Sequence, residues 1–173
     1  MRVHDIAYDV RGFITVRRDS ERLPLRGSLA IRVDPGSGLF YGDLVLGRSA
    51  ITRAVLGARL LSATVQIVAA SPVVGRLDDE GRMVATATVD AVIDDVRATG
   101  RSLISGGSCR TATQAVVPLR SRPGFDLERG GRVVARYYRP PFTGCGLITP
   151  LVNLLAAGAG NAAVFDLIPH TGA

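Results

Sequence analysis

The two cysteines, Cys109 and Cys145, carry the most specific chemistry in this sequence. They lie 36 residues apart, and both stand close to glycines. Because no histidine is near either of them, they do not form a zinc-binding pattern, and no metal site is predicted. Two alternatives stay open. One is a disulfide, which for a loop of this length stabilises a fold by roughly 4 kcal/mol. The other is a pair of buried free thiols in a cytosolic protein.

Nucleophilic catalysis has little support among the remaining residues. A serine or cysteine nucleophile needs a base within hydrogen-bond reach, yet His4 and His170 lie near the two ends of the chain, where side chains are usually solvated. Ser108 follows two glycines but lacks the glycine two residues later that a nucleophile elbow requires. The Gly158-x-Gly160 pair follows a helix pattern and precedes a strand, the reverse of the dinucleotide-binding order. We therefore predict no cofactor.

Acidic residues form two small groups. Asp78-Asp79-Glu80 is typical of a turn, and Asp90, Asp94 and Asp95 lie on the outward face or at the end of one predicted strand. Paired carboxylates for glycoside hydrolysis need a cleft and a contrast between their pKa values, and nothing in the sequence indicates either. A hydrolase-type enzyme is therefore the least favoured function, and its catalytic residues are unknown.

Charge and hydropathy exclude further classes. All 21 basic residues are arginine and the net charge is +6, but the arginines are interleaved with acids along the chain. Aromatic residues make up only 5%, which leaves little material for stacking on nucleic-acid bases. Hydrophobic residues make up 47%, yet no run approaches the roughly 20 apolar residues of a membrane-spanning helix. We therefore expect no nucleic-acid partner and no membrane span.

Apolar residues recur at every second position through most of the chain, which is the period of a half-buried strand. The pattern predicts strands over residues 6–16, 29–33, 39–46, 63–69, 83–94, 109–119, 132–138 and 162–168. Turn residues separate several of them, as in Asp34-Pro35-Gly36-Ser37-Gly38. Residues 49–58 are ambiguous, because Ile51, Ala54 and Val55 have helical spacing.

One short helix is predicted near the C-terminus, with Thr149 as N-cap, Pro150 at the first helical position and Gly158 at its end. No long helices alternate with the strands, so a parallel α/β fold is not expected. The sequence predicts a single all-β, mainly antiparallel domain over residues 1–173. We expect a β-sandwich or barrel of about eight strands with this one helix.

Three segments resemble a known group of proteins. They are Gly106-Gly107-Ser108-Cys109-Arg110-Thr111, then residues 141–153 around Gly144-Cys145-Gly146-Leu147, and Gly158-Ala159-Gly160-Asn161. Over about residues 60–173 the chain resembles the C-terminal half of actinobacterial secreted β-rich proteins of uncharacterised function. An arginine-only basic set is typical of such high-GC genomes. The resemblance implies a secreted protein, and with the even cysteine count it favours the Cys109–Cys145 disulfide.

The compartment stays open at this stage. The first residues contain no basic segment followed by an apolar stretch, so no signal peptide is predicted within the sequence. The chain is expected to be secreted or in the cell envelope if Met1 follows a removed signal peptide, and cytoplasmic otherwise.

Small inward alanines suggest the function, because they leave room inside a sheet instead of filling it. We predict a non-enzymatic domain that binds a lipid or another hydrophobic molecule. The alternative is an envelope-associated structural or self-association module without a pocket, and the oligomeric state is open. The predicted lining of the apolar pocket is Ala63, Val65, Ile67, Ala85, Ala87, Val89, Leu151, Leu154 and Leu155.

Overall fold

The computed structural model describes residues 4–16, 22–55 and 59–170, with twelve strands, one 3₁₀ turn (Gly146–Ile148) and one helix, α1 (Thr149–Ala156). The strands are β1 (His4–Thr15), β2 (Arg22–Val33), β3 (Leu39–Leu46), β4 (Ser49–Val55), β5 (Arg59–Ala69), β6 (Val73–Leu77), β7 (Met83–Ala98), β8 (Arg101–Thr111), β9 (Ala115–Ser121), β10 (Gly131–Arg139), β11 (Phe142–Thr143) and β12 (Gly158–Pro169). In these residues, no helix is long and apolar enough to span a membrane.

The sheet closes into an eight-stranded antiparallel barrel, because β1 pairs with both β2 and β12. The twelve strands occupy eight places in the wall, because four of these places are each shared by two consecutive strands. The pairs are β3 with β4, β5 with β6, β8 with β9, and β10 with β11. The pairings show this continuity, since β7 pairs with β6 and β9 along its first half and with β5 and β8 along its second half. The predicted all-β antiparallel fold with one late helix is confirmed, and of the two predicted architectures the barrel is the observed one.

Alternation explains why these segments form a wall with an apolar inside. The inward set of β1 is the even-numbered set that contains Tyr8, Val10 and Ile14, all buried. At the turn between β2 and β3, the carboxylate of Asp34 accepts hydrogen bonds from Gly36 N at 2.9 Å and Ser37 Oγ at 2.7 Å. These bonds hold the pKa of Asp34 below its usual range. The turn is therefore built from local side-chain bonds, as its composition predicts.

The strand prediction needs correction at several points, since it lacks β6 and begins β2 and β8 several residues too late. Residues 49–55 form strand β4 paired with β5, so the helical turn that their spacing allowed is not formed there; residues 56–58 lie outside the described part of the chain. The predicted continuous strand 109–119 is broken after β8, and Thr113 is exposed. The strand breaks here because Ala112 N donates its hydrogen bond to Pro141 O. This bond joins the gap between β8 and β9 to the gap between β10 and β11.

The helix also differs from its prediction at both ends. Ile148 is the N-cap, and Thr149 is the first helical residue. The Thr149 hydroxyl donates to Gly146 O of the preceding 3₁₀ turn and does not cap the helix. The helix ends at Ala156, and β12 begins at Gly158, whose φ of 109° suits glycine. Because it pairs with β10, the last strand begins at Gly158, four residues before its predicted start at residue 162.

The two ends of the barrel are closed in different ways. The lower end is the one at which residues 122–130 connect β9 to β10. There the hydroxyl group of the buried Tyr8 donates a hydrogen bond to Leu127 O. Burial, with a smaller contribution from Asp126, raises the pKa of Tyr8 above its usual value. At the upper end, α1 and the residues before it cover the opening. The Cys109–Cys145 disulfide joins this cover to β8, with the two Cα atoms 4.3 Å apart.

Candidate ligand-binding cavity

The barrel interior contains two adjoining cavities. The upper cavity has a volume of about 110 Å³ and lies between the barrel wall and α1. The lower cavity has a volume of about 50 Å³ and lies in the middle of the barrel. Ala91 and Arg139 border both of them. An eight-stranded barrel encloses a space that side chains can just fill or that holds one small ligand, and here the filling is incomplete.

Small side chains at inward positions leave these cavities open. Most of the pocket residues that the sequence predicts do border them. Ala63, Val65, Leu151 and Leu155 border the upper cavity, and Ile67, Ala87 and Val89 border the lower one.

The other two predicted pocket residues border neither cavity. Ala85 is buried lower in the barrel, where it faces Gly75. Leu154 lies on the outer face of α1, with 68% of its side chain exposed. Its neighbours Leu151, Val152 and Leu155 form the inward face, because residues of one helix face recur at three- or four-residue spacing.

Arg139 is the one charged side chain among the described residues that line the two cavities. It is only 5% exposed. Its Nη2 donates a hydrogen bond of 2.7 Å to the Tyr137 hydroxyl, and its guanidinium carbon lies 5.7 Å from the centre of the Tyr137 ring. Among the described residues, no carboxylate forms an ion pair with it and Tyr137 is its hydrogen-bond partner. A positive charge therefore lies inside an apolar barrel.

The position of Arg139 follows from the alternation of β10. Val133, Ala135 and Tyr137 are the buried residues of this strand, and Arg139 is the next in the same inward series. Pro140 and Pro141 follow it at once and interrupt the strand. Arg139 is thus the last residue of β10, just past a register shift in the pairing with β12, at the level where both cavities meet.

Other polar groups at this level are already hydrogen-bonded within the wall. Asn161 is fully buried on β12 and donates to Gly158 O at 2.7 Å. Thr111 is buried on β8, and its hydroxyl contacts Asp90 Oδ1 at 3.3 Å and accepts from Ala91 N at 3.2 Å. These bonds hold the wall together and do not neutralise Arg139.

Burial of this arginine has an energetic cost. The guanidinium keeps its proton in proteins, so it cannot escape the cost of burial by becoming neutral. Removing such an ion from water costs several kcal/mol when no counter-charge is provided. One bond to a neutral phenol compensates only part of that cost. The site is consequently suited to accept a group of opposite charge.

Two sets of contacts attach α1 to the barrel. The disulfide fixes Cys145, four residues before the helix. Asn153, in the middle of the helix, accepts from Phe142 N at 2.6 Å and donates to Phe142 O at 3.2 Å. These two bonds satisfy the backbone N–H and C=O groups of Phe142 in β11, as a neighbouring strand would. The cover of the upper cavity is therefore anchored at its start and its centre.

The candidate catalytic residues of the sequence do not converge on these cavities. His170 Nδ1 lies 3.4 Å from Asp9 Oδ1 on the exposed surface near the lower end. Ser108 donates its hydroxyl to Gly144 O at 2.9 Å. The acids of β7 pair with arginines: Asp90 with Arg110, Asp94 with Arg48 and Asp95 with Arg97. No group of three potential metal ligands occurs in the residues that the structure describes.

Arg139 is the site residue that sequence reasoning missed. The strand over residues 132–138 was predicted, but its inward face was not assigned. The signal was present, because Val133, Ala135 and Tyr137 alternate with Arg132, Val134 and Arg136. The next residue in the series Val133, Ala135, Tyr137 is Arg139, so the alternation places this arginine inside the barrel.

The fold and cavity define a class: a closed antiparallel barrel with a helix-covered, largely apolar interior in which, among the described residues, one cation, Arg139, is buried. The chain matches no protein-family model, no curated protein and no solved structure.

Proposed function

We propose that this protein binds a small hydrophobic molecule inside its barrel. The observation that carries the proposal is the incompletely filled interior, whose two cavities are lined mainly by apolar side chains. An apolar void of about 150 Å³ in a protein interior is known to bind benzene or xenon. A ligand gains from such a site by removing its own apolar surface from water.

The dimensions limit the ligand that fits without rearrangement. The upper cavity, at about 110 Å³, accommodates a small ring or a short alkyl chain. A larger ligand requires α1 to move outward, since Leu151, Val152 and Leu155 form the outer wall of this cavity. The upper end is the access route that we infer, because the lower end is closed by Tyr8 and the segment around Leu127.

Filling the cavity tests the proposal. Ala91→Leu places an isobutyl group where both cavities meet, and we expect at least tenfold weaker binding of toluene, measured by the ligand-induced shift in thermal unfolding. Because a cavity is filled, the free energy of unfolding should stay the same or rise by up to about 1 kcal/mol. Ala30→Leu is the matched control, because Ala30 is exposed on the outer face of β2. A folded Ala91→Leu variant that binds toluene as the wild type does would contradict the proposal.

A second candidate function is self-association through the outer face of the sheet. Tyr41 of β3 lies directly opposite Val74 of β6, and Leu39 lies on the same face; each is more than half exposed. Adjacent exposed apolar side chains are typical of a contact surface. Light scattering after size exclusion should then give a mass that rises with concentration, and Tyr41→Glu should abolish the rise. A constant mass near 18.2 kDa over the whole concentration range rules it out.

We also propose that the protein is secreted or resides in the cell envelope, as the resemblance to actinobacterial secreted proteins suggests. The support is the disulfide, since disulfides persist in oxidising compartments and are rare in the cytosol. A bond between Cys109 and Cys145 that is reduced at cytosolic glutathione ratios in the folded protein would contradict this location.

A further inference from the structure

We propose that the ligand of this barrel is a compact apolar carboxylic acid, bound as its anion, with the carboxylate against Arg139 and the hydrocarbon part in the upper cavity. This inference rests on the proposed binding function and specifies the chemistry of the ligand. It is carried by the juxtaposition of one buried cation with two apolar cavities.

The charge balance inside the barrel indicates an anion. In the described part of the chain, the buried polar residues are Thr111, Arg139 and Asn161, and none of them is acidic. The acids Asp90, Asp94 and Asp95 of β7 pair with arginines, as in the pair Asp90–Arg110 at 3.1 Å, and none of the three lines either cavity. Among the described residues Arg139 thus has no counter-ion, and a negatively charged ligand would supply one.

The hydrogen-bonding capacity of the site suits a carboxylate. A guanidinium carries five N–H donors in a planar fork that matches the two oxygens of a carboxylate. The Tyr137 hydroxyl accepts from one of these donors, and it still has its own proton to donate. Arginine and tyrosine together therefore offer several donors at the boundary between the two cavities.

The other side chains that line the upper cavity indicate the chemistry of the rest of the ligand, apart from its carboxylate. In the upper cavity, the polar side chains among the described lining residues are Ser62 and Arg139; the others are apolar. A polyhydroxylated acid would leave most of its hydroxyls without partners among these apolar side chains, which is unfavourable. The cavity volume excludes a long chain unless α1 moves. A short alkyl or single-ring acid satisfies both conditions.

The experiment compares an acid with its matched alcohol. Hexanoate and 1-hexanol are titrated into the full chain at neutral pH by calorimetry, with the wild type and the variants Arg139→Met and Arg136→Met. Arg136 is the matched control, because it lies on the same strand but is exposed on the outside. We expect the wild type and Arg136→Met to bind hexanoate at least ten times more tightly than 1-hexanol. In Arg139→Met the preference should be lost, with hexanol binding retained within about threefold.

Each outcome decides a specific point. If the wild type binds hexanol as tightly as hexanoate, or if Arg139→Met keeps the preference for hexanoate, the assignment of the anion site is wrong while the hydrophobic cavity stands. If neither molecule binds at millimolar concentration, the proposed binding function itself fails. Arg139→Gln serves as a second neutral variant if the methionine variant does not fold, and the wild-type comparison is decisive without either variant.

Discussion

Replacing Cys109 and Cys145 together with alanine is expected to lower the free energy of unfolding by about 4 kcal/mol. The disulfide closes a loop of 36 residues, and removing it restores chain entropy to the unfolded state. The loss is large against the 5–15 kcal/mol of total stability that is typical of such domains. Urea titration of the double variant beside the wild type measures it.

The same change should loosen the cover of the upper cavity. Without the disulfide, the two hydrogen bonds of Asn153 to Phe142 remain to hold the centre of α1 to the barrel. We therefore expect faster exchange of a bound probe in the double variant. Reducing the unfolded wild type and refolding it under reductant should reproduce the loss of stability, while reductant should not affect the double variant. A loss below about 1 kcal/mol would show that the disulfide is not an anchor of the fold.

Gly12→Ala is expected to destabilise the barrel by about 3 kcal/mol or more. Gly12 lies at the closing seam, opposite Phe165 of β12. A methyl group at this position would overlap the carbonyl oxygen of Val164, which belongs to the backbone and cannot rotate away. Forced overpacking of this kind typically costs 1–3 kcal/mol and sometimes more. Thermal and urea unfolding measure the effect.

Gly47→Ala is the matched control for this seam prediction. Gly47 lies between β3 and β4, and a methyl group there would meet only Arg26 O, at 3.4 Å. Because alanine also restricts the unfolded chain, this variant should be neutral or more stable by up to about 1 kcal/mol. Equal stability of Gly12→Ala and Gly47→Ala would contradict the tight closure of the seam between β1 and β12.

Local patterns were sufficient for the wall strands but not for their assembly. Alternation over residues 6–16 and 83–94 predicted both strands and their inward faces, because burial on one side of a sheet leaves a period of two. The same alternation occurs in sandwiches and barrels. The deciding contact, β1 with β12, joins the two ends of the chain, and no local signal specifies it.

The cavity was predictable in part for a similar reason. Strand alternation and helix periodicity place Ala63, Ala87 and Leu155 on inward faces, and these residues border the two cavities; that they contact a ligand stays a prediction. Leu154 was misplaced because the inward face of α1 depends on how Asn153 and the disulfide orient the helix. Arg139 was overlooked because a charged residue is normally assigned to the solvated face, and only a complete register of β10 places it inside.

A crystal structure determined under xenon pressure tests the central proposal, an accessible apolar cavity inside the barrel, most directly. Xenon enters dry apolar voids without needing specific chemistry. We expect a xenon atom in the upper cavity, in contact with Ala63, Val65 and Leu155, and none there in Ala91→Leu. An interior that contains no xenon, with the side chains packed into the space between the wall and α1, would contradict the proposal.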